Sequence, residues 1–530
     1  MSSTLQGGRS MKVYHGNILT CDNQNQVFRY LAEDKGMIRF TGDLLPSEYA
    51  GYPVMELGEQ VLAPSFADTH LHFASMALFH AGVNVMKEES NEEIKIKLAA
   101  FLPRTRAGVV IAFGASPHSV KERKLLSRED LDKVSSERPI MVVKYDGHAC
   151  IINSALLGKL PEKIRTLRGY NPESGEMNQE AFFAVTDYVS STVSVPELIK
   201  CMQRAIDYMA SKGIGLMHSV SGVGFPRDMD VDLEKYVGRG AEGGFQSRLF
   251  FQTMDTKKVL KRKLPRIGGC FATALDGCFG SVDAALTKPY EGSENCGILY
   301  YSDEEVTEFC KKANRLGLQI ELHAIGDAAF NQAAKAMKAA LDDFPRDDHR
   351  HGIIHACLPT REGLEICSKY KIQIPLQTSF IVWPQEPDWY LKGILGDREA
   401  LLNPLRSFVD NGIVISAGSD SPCTDPDPML WIHNACNHPD PTQALTVEEA
   451  LRMSTYWGYW TSFDEKERGS LERGKIADMV ILGGNPLTTL KENLKDISVN
   501  QLILAGKPYT AQKQSWVRLV LRGLLSSGKI

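Results

Sequence analysis

No Cys-x-x-Cys pair occurs in this chain, although it carries 11 cysteines. An odd count with no short repeated spacing excludes a disulfide framework and reads as reduced thiols in a cytoplasmic protein. No apolar run is long enough to span a bilayer, and the N-terminus from Met1 to Arg9 has no apolar signal core. Charge of one sign is also scarce. Lys and Arg number 60 against 65 Asp and Glu, a formal net charge of -5, which leaves no basic footprint for nucleic acid or an anionic membrane. There is no internal repeat or low-complexity tract. The C-terminal Ser527-Gly528-Lys529-Ile530 is only faintly similar to a Ser-Lys-Leu peroxisomal address. What is present is the balance of a soluble globular protein with a large core: 530 residues, 43% hydrophobic and 24% charged.

The rhythm of the chain changes twice. From Met11 to about Leu62 short β-like runs alternate with turn residues, as in Lys12 to Thr20 and Met37 to Gly42. From about Ala63 apolar strands alternate with helical stretches. Gly108 to Gly114, Pro139 to Tyr145 and Leu318 to His323 read as strands; Pro196 to Lys212, Asp303 to Leu316 and Phe330 to Asp342 read as helices. Repeated β and α units of this kind predict an α/β fold with a parallel sheet closed into a (β/α)8 barrel of the TIM type. After about Gly469 short β runs return, at Ala477 to Leu482 and Val499 to Pro508. The economical organisation is a small composite β-sandwich from both chain ends, residues 1–62 and 469–530, flanking a barrel of residues 63–468. The last segment, Trp516 to Leu525, predicts a short basic amphipathic helix that packs on the protein body or on a second subunit.

Within the barrel segment, His70 and His72 close an apolar run. Separated by one residue on a strand, they point the same way, and two imidazoles on one face can seat a divalent transition metal. The pair alone is a weak signal, since histidines in strands are more often hydrogen-bonded structural residues. Three further residues raise its meaning. His323 ends Gln319 to Leu322, His355 ends Gly352 to Ile354, and Asp420 ends Gly412 to Ser419. Each falls where a barrel strand should yield to its loop, on the rim where this fold builds active sites. Neutral imidazoles and a carboxylate suit zinc and related ions. Near a metal-activated water, Asp420 can accept a proton and later return it to the leaving group.

Read together, these motifs resemble the metal-dependent amidohydrolase superfamily, specifically the amidohydrolase family 3 group that includes N-substituted formamide deformylase-like proteins. The resemblance covers nearly the whole chain. It rests on Pro64 to His72, Asp146-Gly147-His148 with Asn153-Ser154-Ala155-Leu156, Gly213 to His218, Asp276 to Ser281, His323 to Asp327, Ser419-Asp420 and Gly469 to Val480. It implies metal ligands at His70, His72, His323, His355 and Asp420, and hydrolysis of an amide or related C–N bond. It places His148 and His218 as histidines facing the site, for substrate binding or transition-state stabilisation. Zinc is the expected divalent ion, one or two per chain, and a homodimer is a family-level expectation. Asp146 and Asn153 sit in strong turn formers and read as loop-shaping.

One departure stands out. Many members carry a lysine four residues before the Asp-Gly of the fourth strand, where its carbamate bridges two metals. Here that position is Ala272, which cannot ligate. A mononuclear site needs no bridge. Cys270, two residues earlier, shares a strand face with Ala272 by simple alternation, and thiolate is a good zinc ligand. Lys144 shares parity with Asp146 and His148, and pairing with Asp146 or carbamate formation would each relieve its buried charge. The expected reaction is hydrolysis of a non-peptide C–N bond in a small molecule. Deamination of an amino-substituted ring, or a degenerate member kept as a binding or regulatory protein, are the alternatives. Trp383, Trp389 and Tyr390, in a loop after a strand, are candidates to line an apolar pocket.

Overall fold

The computed structural model describes residues 11–511, 515–526 and 528–530. At its centre lies a cycle of parallel strands. Six form one sheet in this sequence order: β1 (Phe66–Leu71), β2 (Ile214–Ser221), β3 (Gln246–Phe251), β4 (Arg266–Ala274), β5 (Gln319–Ala324) and β6 (Gly352–His355). A parallel two-stranded sheet continues it, β7 (Ile374–Leu376) and β8 (Ile415–Ala417). A bridge between Gly352 and Gln373 joins β6 to the start of β7. The cycle closes where Asp420 donates its N–H to the His70 carbonyl at 2.7 Å and His72 donates to the Ser421 carbonyl at 2.8 Å. The result is a nearly closed parallel sheet.

The barrel strands are buried on both faces because helices cover the outside and side chains fill the inside. Every residue of β1, β2 and β5 is buried. The covering helices start and stop on local signals. Helix Val195–Ser211 begins with the Ser194 hydroxyl accepting from the Glu197 N–H, and Pro196 fills its first turn. Gly213, at φ +82°, turns the chain straight into β2. Helix Asp303–Arg315 opens with a reciprocal Ser302–Glu305 capping box. Both match the helices expected from periodicity.

Two of the expected barrel strands belong elsewhere. Val110–Ala115 and Ile140–Lys144 lie in a separate five-stranded sheet with Val83–Asn84, Ala149–Ile152 and Glu176–Asn178, inserted between β1 and β2. This sheet has its own apolar cluster, including Ile94, Leu98, Val110, Val142 and Ile151. A short buried strand reads the same in either sheet, so alternation alone assigned these two to the wrong one.

The two chain ends meet in one seven-stranded sheet. Met479–Leu482 pairs antiparallel with Val54–Pro64, and so joins the C-terminal strands to those at Lys12–Leu19, Val27–Asp34 and Met37–Gly42. The C-terminal helix, Trp516–Leu525, packs on the protein body: Leu519 is buried and Gly523 lies against the backbone of Tyr236, in helix Met229–Gly240. Among the described residues, no helix is long and apolar enough to cross a membrane.

The end of the barrel opposite His70 is tied by charge. The Arg248 guanidinium on β3 makes two 2.8 Å hydrogen bonds to the Asp464 carboxylate, and both side chains are 1% exposed. Burial alone would raise the Asp464 carboxyl, but Arg248 outweighs it and holds it down at about 2. Replacing Arg248 by Met removes the two-point partner of a buried carboxylate, leaving it the Ser462 hydroxyl at 2.8 Å and Lys529 Nζ at 3.4 Å, and should cost about 3–5 kcal/mol in urea denaturation. The pair's contribution is present above the ordinary carboxyl pKa of about 3.9 and is lost as pH falls toward about 2. Denaturation midpoints measured across that window should therefore fall more steeply in the parent than in Arg248→Met.

Candidate metal centre

The expected ligands converge at the C-terminal rim of the barrel. His70 lies on β1 and His72 just after it, capping helix Phe73–His80. His323 is near the end of β5, His355 is the last residue of β6, and Asp420 follows β8. The nearest Asp420 oxygen, Oδ1, lies 3.3 Å from Nε2 of His70 and 3.2 Å from Nε2 of His72. Ligand atoms of His70, His355 and Asp420 fall within 4.8 Å of one another. His355 (φ 71°) and Asp420 (φ 52°) both hold left-handed backbone. That conformation costs of order 1–3 kcal/mol per non-glycine residue and clusters at functional sites.

Partners fix which ring nitrogens are free. His355 Nδ1–H donates to Gln377 Oε1 at 2.5 Å, so its Nε2 is available. His323 Nε2–H donates to the Gly277 carbonyl at 3.1 Å, so its Nδ1 is available. Bonds of this type orient metal-binding imidazoles. Both ring nitrogens of the fully buried His70 lack a hydrogen-bond partner, as does Asp420 Oδ1. Burial lowers the histidines: His355 to about 4, His72 below its ordinary value and His323 well below it. The imidazoles of His72, His323 and His355 are therefore neutral near pH 7. Burial works against the Asp420 carboxylate, yet the adjacent imidazoles of His70 and His72 keep it well below the usual range. Neutral imidazoles, an ionised carboxylate and orphaned buried donor atoms are what a divalent transition metal requires.

Cys270 joins this cluster and Ala272 does not. In β4, Gly269 pairs with Leu322 but Ala274 pairs with His323, so several residues bulge out between them. The Cys270 sulfur lies 3.1 Å from His323 Nδ1, while the Ala272 carbonyl accepts from the Tyr301 hydroxyl at 2.9 Å and the residue does not line the cavity. Cys270 therefore lies beside His323 for a reason other than the simple alternation expected from the sequence, which the bulge invalidates. Burial, followed by the charge of Asp420, pushes the Cys270 thiol well above its ordinary value; only a cation would keep it ionised.

Lys144 ends a strand of the inserted sheet. Its Nζ is 2.8 Å from Asp146 Oδ2 and donates to the Gly280 carbonyl and the Ser281 hydroxyl, both at 3.3 Å. Although burial lowers the lysine and raises the carboxyl, the attraction dominates, raising Lys144 and lowering Asp146. Asn153 is structural: its Oδ1 accepts from the N–H of Ile140 and of Leu156. His148 lines the cavity above the metal cluster. His218 does not. It is buried on β2 with neither ring nitrogen partnered.

Of the three aromatic candidates only Trp383 lines the cavity, beside Phe271, Phe279 and Phe380. Trp389 is 55% exposed beneath Arg123. Tyr390 donates its hydroxyl to the Phe279 carbonyl at 2.9 Å and lies against the ring of His118. Other site residues had gone unassigned. Asp68 accepts from the N–H and hydroxyl of Ser419, at 2.9 and 2.6 Å, and so positions Asp420. Asp276 accepts from the N–H groups of Ala285, Ile325 and Gly326 and shapes the loop after β5. Both stand inside the motifs quoted above, next to ligand positions, which is the signal that could have found them. Gln377 follows β7 directly, on the same rim.

Residues 54–509 match the profile of the amidohydrolase family. The chain belongs to that family. Amidohydrolases hydrolyse carbon–nitrogen bonds other than peptide bonds with a divalent metal, and the donor set at the rim fits such an ion. YtcJ of Bacillus subtilis (strain 168), provisionally named an amidohydrolase, is 24% identical over 93% of this chain and 98% of its own length. The N-substituted formamide deformylase of Arthrobacter pascens is 23% identical over 94% of this chain and 98% of its own. In fold, a metal-dependent hydrolase from Pyrococcus horikoshii OT3 superposes with a TM-score of 0.72 at 22% identity, covering 91% of this chain and 99% of the other.

Lys144→Met should leave the metal content of this amidohydrolase unchanged, because the ammonium is committed to Asp146. It should lower stability by about 3–5 kcal/mol, since a buried carboxylate loses its partner. Elemental analysis and denaturation of the variant check both; loss of a metal equivalent would mean that Lys144 ligates after all.

Proposed function

We propose that this amidohydrolase cleaves an N-substituted formamide or similar small amide whose nitrogen carries an apolar or aromatic group. His70, His72, His323, His355 and Asp420 would hold the divalent ion, with zinc favoured by the imidazole-rich set. The bound ion supplies Lewis acidity toward the carbonyl and acidifies water.

The observation that carries the reading is the approach of Asp420 to both His70 and His72 inside a cavity walled by Phe271, Phe380 and Trp383. The Asp420 carboxylate is ionised, so it can take a proton from the attacking water. The water oxygen bonds to the carbonyl carbon. As the carbon–nitrogen bond breaks, Asp420 returns that proton to the nitrogen, and the products are a carboxylic acid and an amine. His148, on the opposite wall, is placed to hydrogen-bond the substrate. The aromatic wall takes the nitrogen substituent and keeps bulk water away. Retention of the five ligand positions other than Ala272 speaks against a degenerate binding protein, and the name of the Arthrobacter relative supports the substrate class.

The metal-loaded protein should release formate from N-aryl or N-alkylaryl formamides. Asp420→Asn should lower kcat by about 10²–10⁴-fold, the range for loss of a general acid–base. Ammonia released from an amino-substituted ring, with no acid product from any amide tested, would replace this reading with deamination.

A further inference from the structure

Two groups of metal-ligand atoms at the rim have one residue in common. His70, His72 and Cys270 form one, and Cys270, His323 and His355 form the other; within each, the atoms lie within 4.8 Å of one another. Cys270 reaches this midpoint only because β4 bulges. Gly268 and Gly269 hold φ of +104° and +126°, a region that side chains rarely adopt. A Cβ on Gly269 would also lie 2.6 Å from Val220 Cγ1. Just beyond, Phe271 has φ +34°. Backbone strain at a cluster of donor atoms points to function rather than packing.

We propose that the Cys270 thiolate is shared between two divalent ions and takes the place of the missing carbamate at Ala272. One ion is held by His70, His72 and Asp420, and the other by His323 through Nδ1 and His355 through Nε2. This rests on the metal-dependent reading above. The free nitrogens are the ones the arrangement needs, and the buried, unpartnered nitrogens of His70 are an independent sign of an absent ligand. On coordination the thiol proton leaves to solvent, so one Cys–S⁻ and the Asp420 carboxylate offset part of the charge of two ions. A shared thiolate also predicts preference for zinc or cobalt over magnesium, since sulfur is a poor ligand for hard cations. Lys144, the other candidate bridge, is held by Asp146 on the inserted sheet.

The test is cobalt reconstitution of the full-length protein, with elemental analysis beside it. The parent should bind two ions per chain and show sulfur-to-cobalt charge-transfer absorption in the near ultraviolet. Cys270→Ser should lose that band and one equivalent of metal, with its circular dichroism unchanged. Cys278→Ala, Cys357→Ala and Cys423→Ala, which remove the other cavity thiols, should keep the band. If Cys270→Ser fails to fold, the parent's band and its survival in these three variants still assign the sulfur. Two cobalt ions bound without the band, or a band that survives Cys270→Ser, overturns the shared thiolate and leaves metal-dependent hydrolysis standing. Failure of the parent to bind any divalent ion overturns both.

Discussion

The closure of the barrel between its last and first strands is the constraint on which the site depends. Asp420 donates its N–H to the carbonyl of His70, and His72 donates to the carbonyl of Ser421. These two bonds hold the carboxylate of one segment against the imidazoles of another, about 350 residues away in sequence, where a loop closed by chain alone would pay a large entropy cost. The approach is so close that a Cβ on Gly418 would lie 2.7 Å from the His70 nitrogen. Asp68 reinforces the same seam from β1 by gripping Ser419. The backbone strain at Asp420 persists because these contacts over-determine it.

The inserted sheet completes what the barrel begins. The rim supplies metal donors but only part of the cavity wall. Asp146 and His148, carried by the turn after Ile140–Lys144, supply a second wall, together with the aromatic loop after β7. Charge is managed differently on the two sides. On the rim, burial keeps the imidazoles neutral and ready for a cation. On the inserted sheet, burial is offset by pairing Lys144 with Asp146, so that neither needs one. That difference leaves donor atoms free on the rim and pairs the charges of the inserted sheet with each other.

Much of this was legible from residue order. His70, His72, His323, His355 and Asp420 each follow an apolar run, and a parallel barrel gathers strand ends on one rim whatever lies between them. The helices at Val195–Ser211 and Asp303–Arg315 announce themselves by caps and apolar spacing. The fate of Val110–Ala115 and Ile140–Lys144 was not legible. Hydrogen bonding to a neighbour decides which sheet a strand joins, and the neighbour leaves no mark on a short apolar run. The split among Trp383, Trp389 and Tyr390 was likewise hidden, because a 3-10 turn at Thr378–Val382 and a helix at Asp388–Leu395 rotate the three rings apart.

Residue types and their spacing by themselves pointed to the amidohydrolase family, to the candidate metal donors and to the absence of a lysine at Ala272. They could do so because ligand chemistry belongs to the side chain and strand ends are marked locally. Only the tertiary structure showed which side chain of β4 lies among these candidate donors. The bulge between Gly269 and Ala274 breaks the period of two on which any reading of β4 depends. It turns Cys270 toward His323 and Ala272 toward Tyr301. A bulge is set by pairing with the next strand and by what packs against it, and neither is written within the segment that bends.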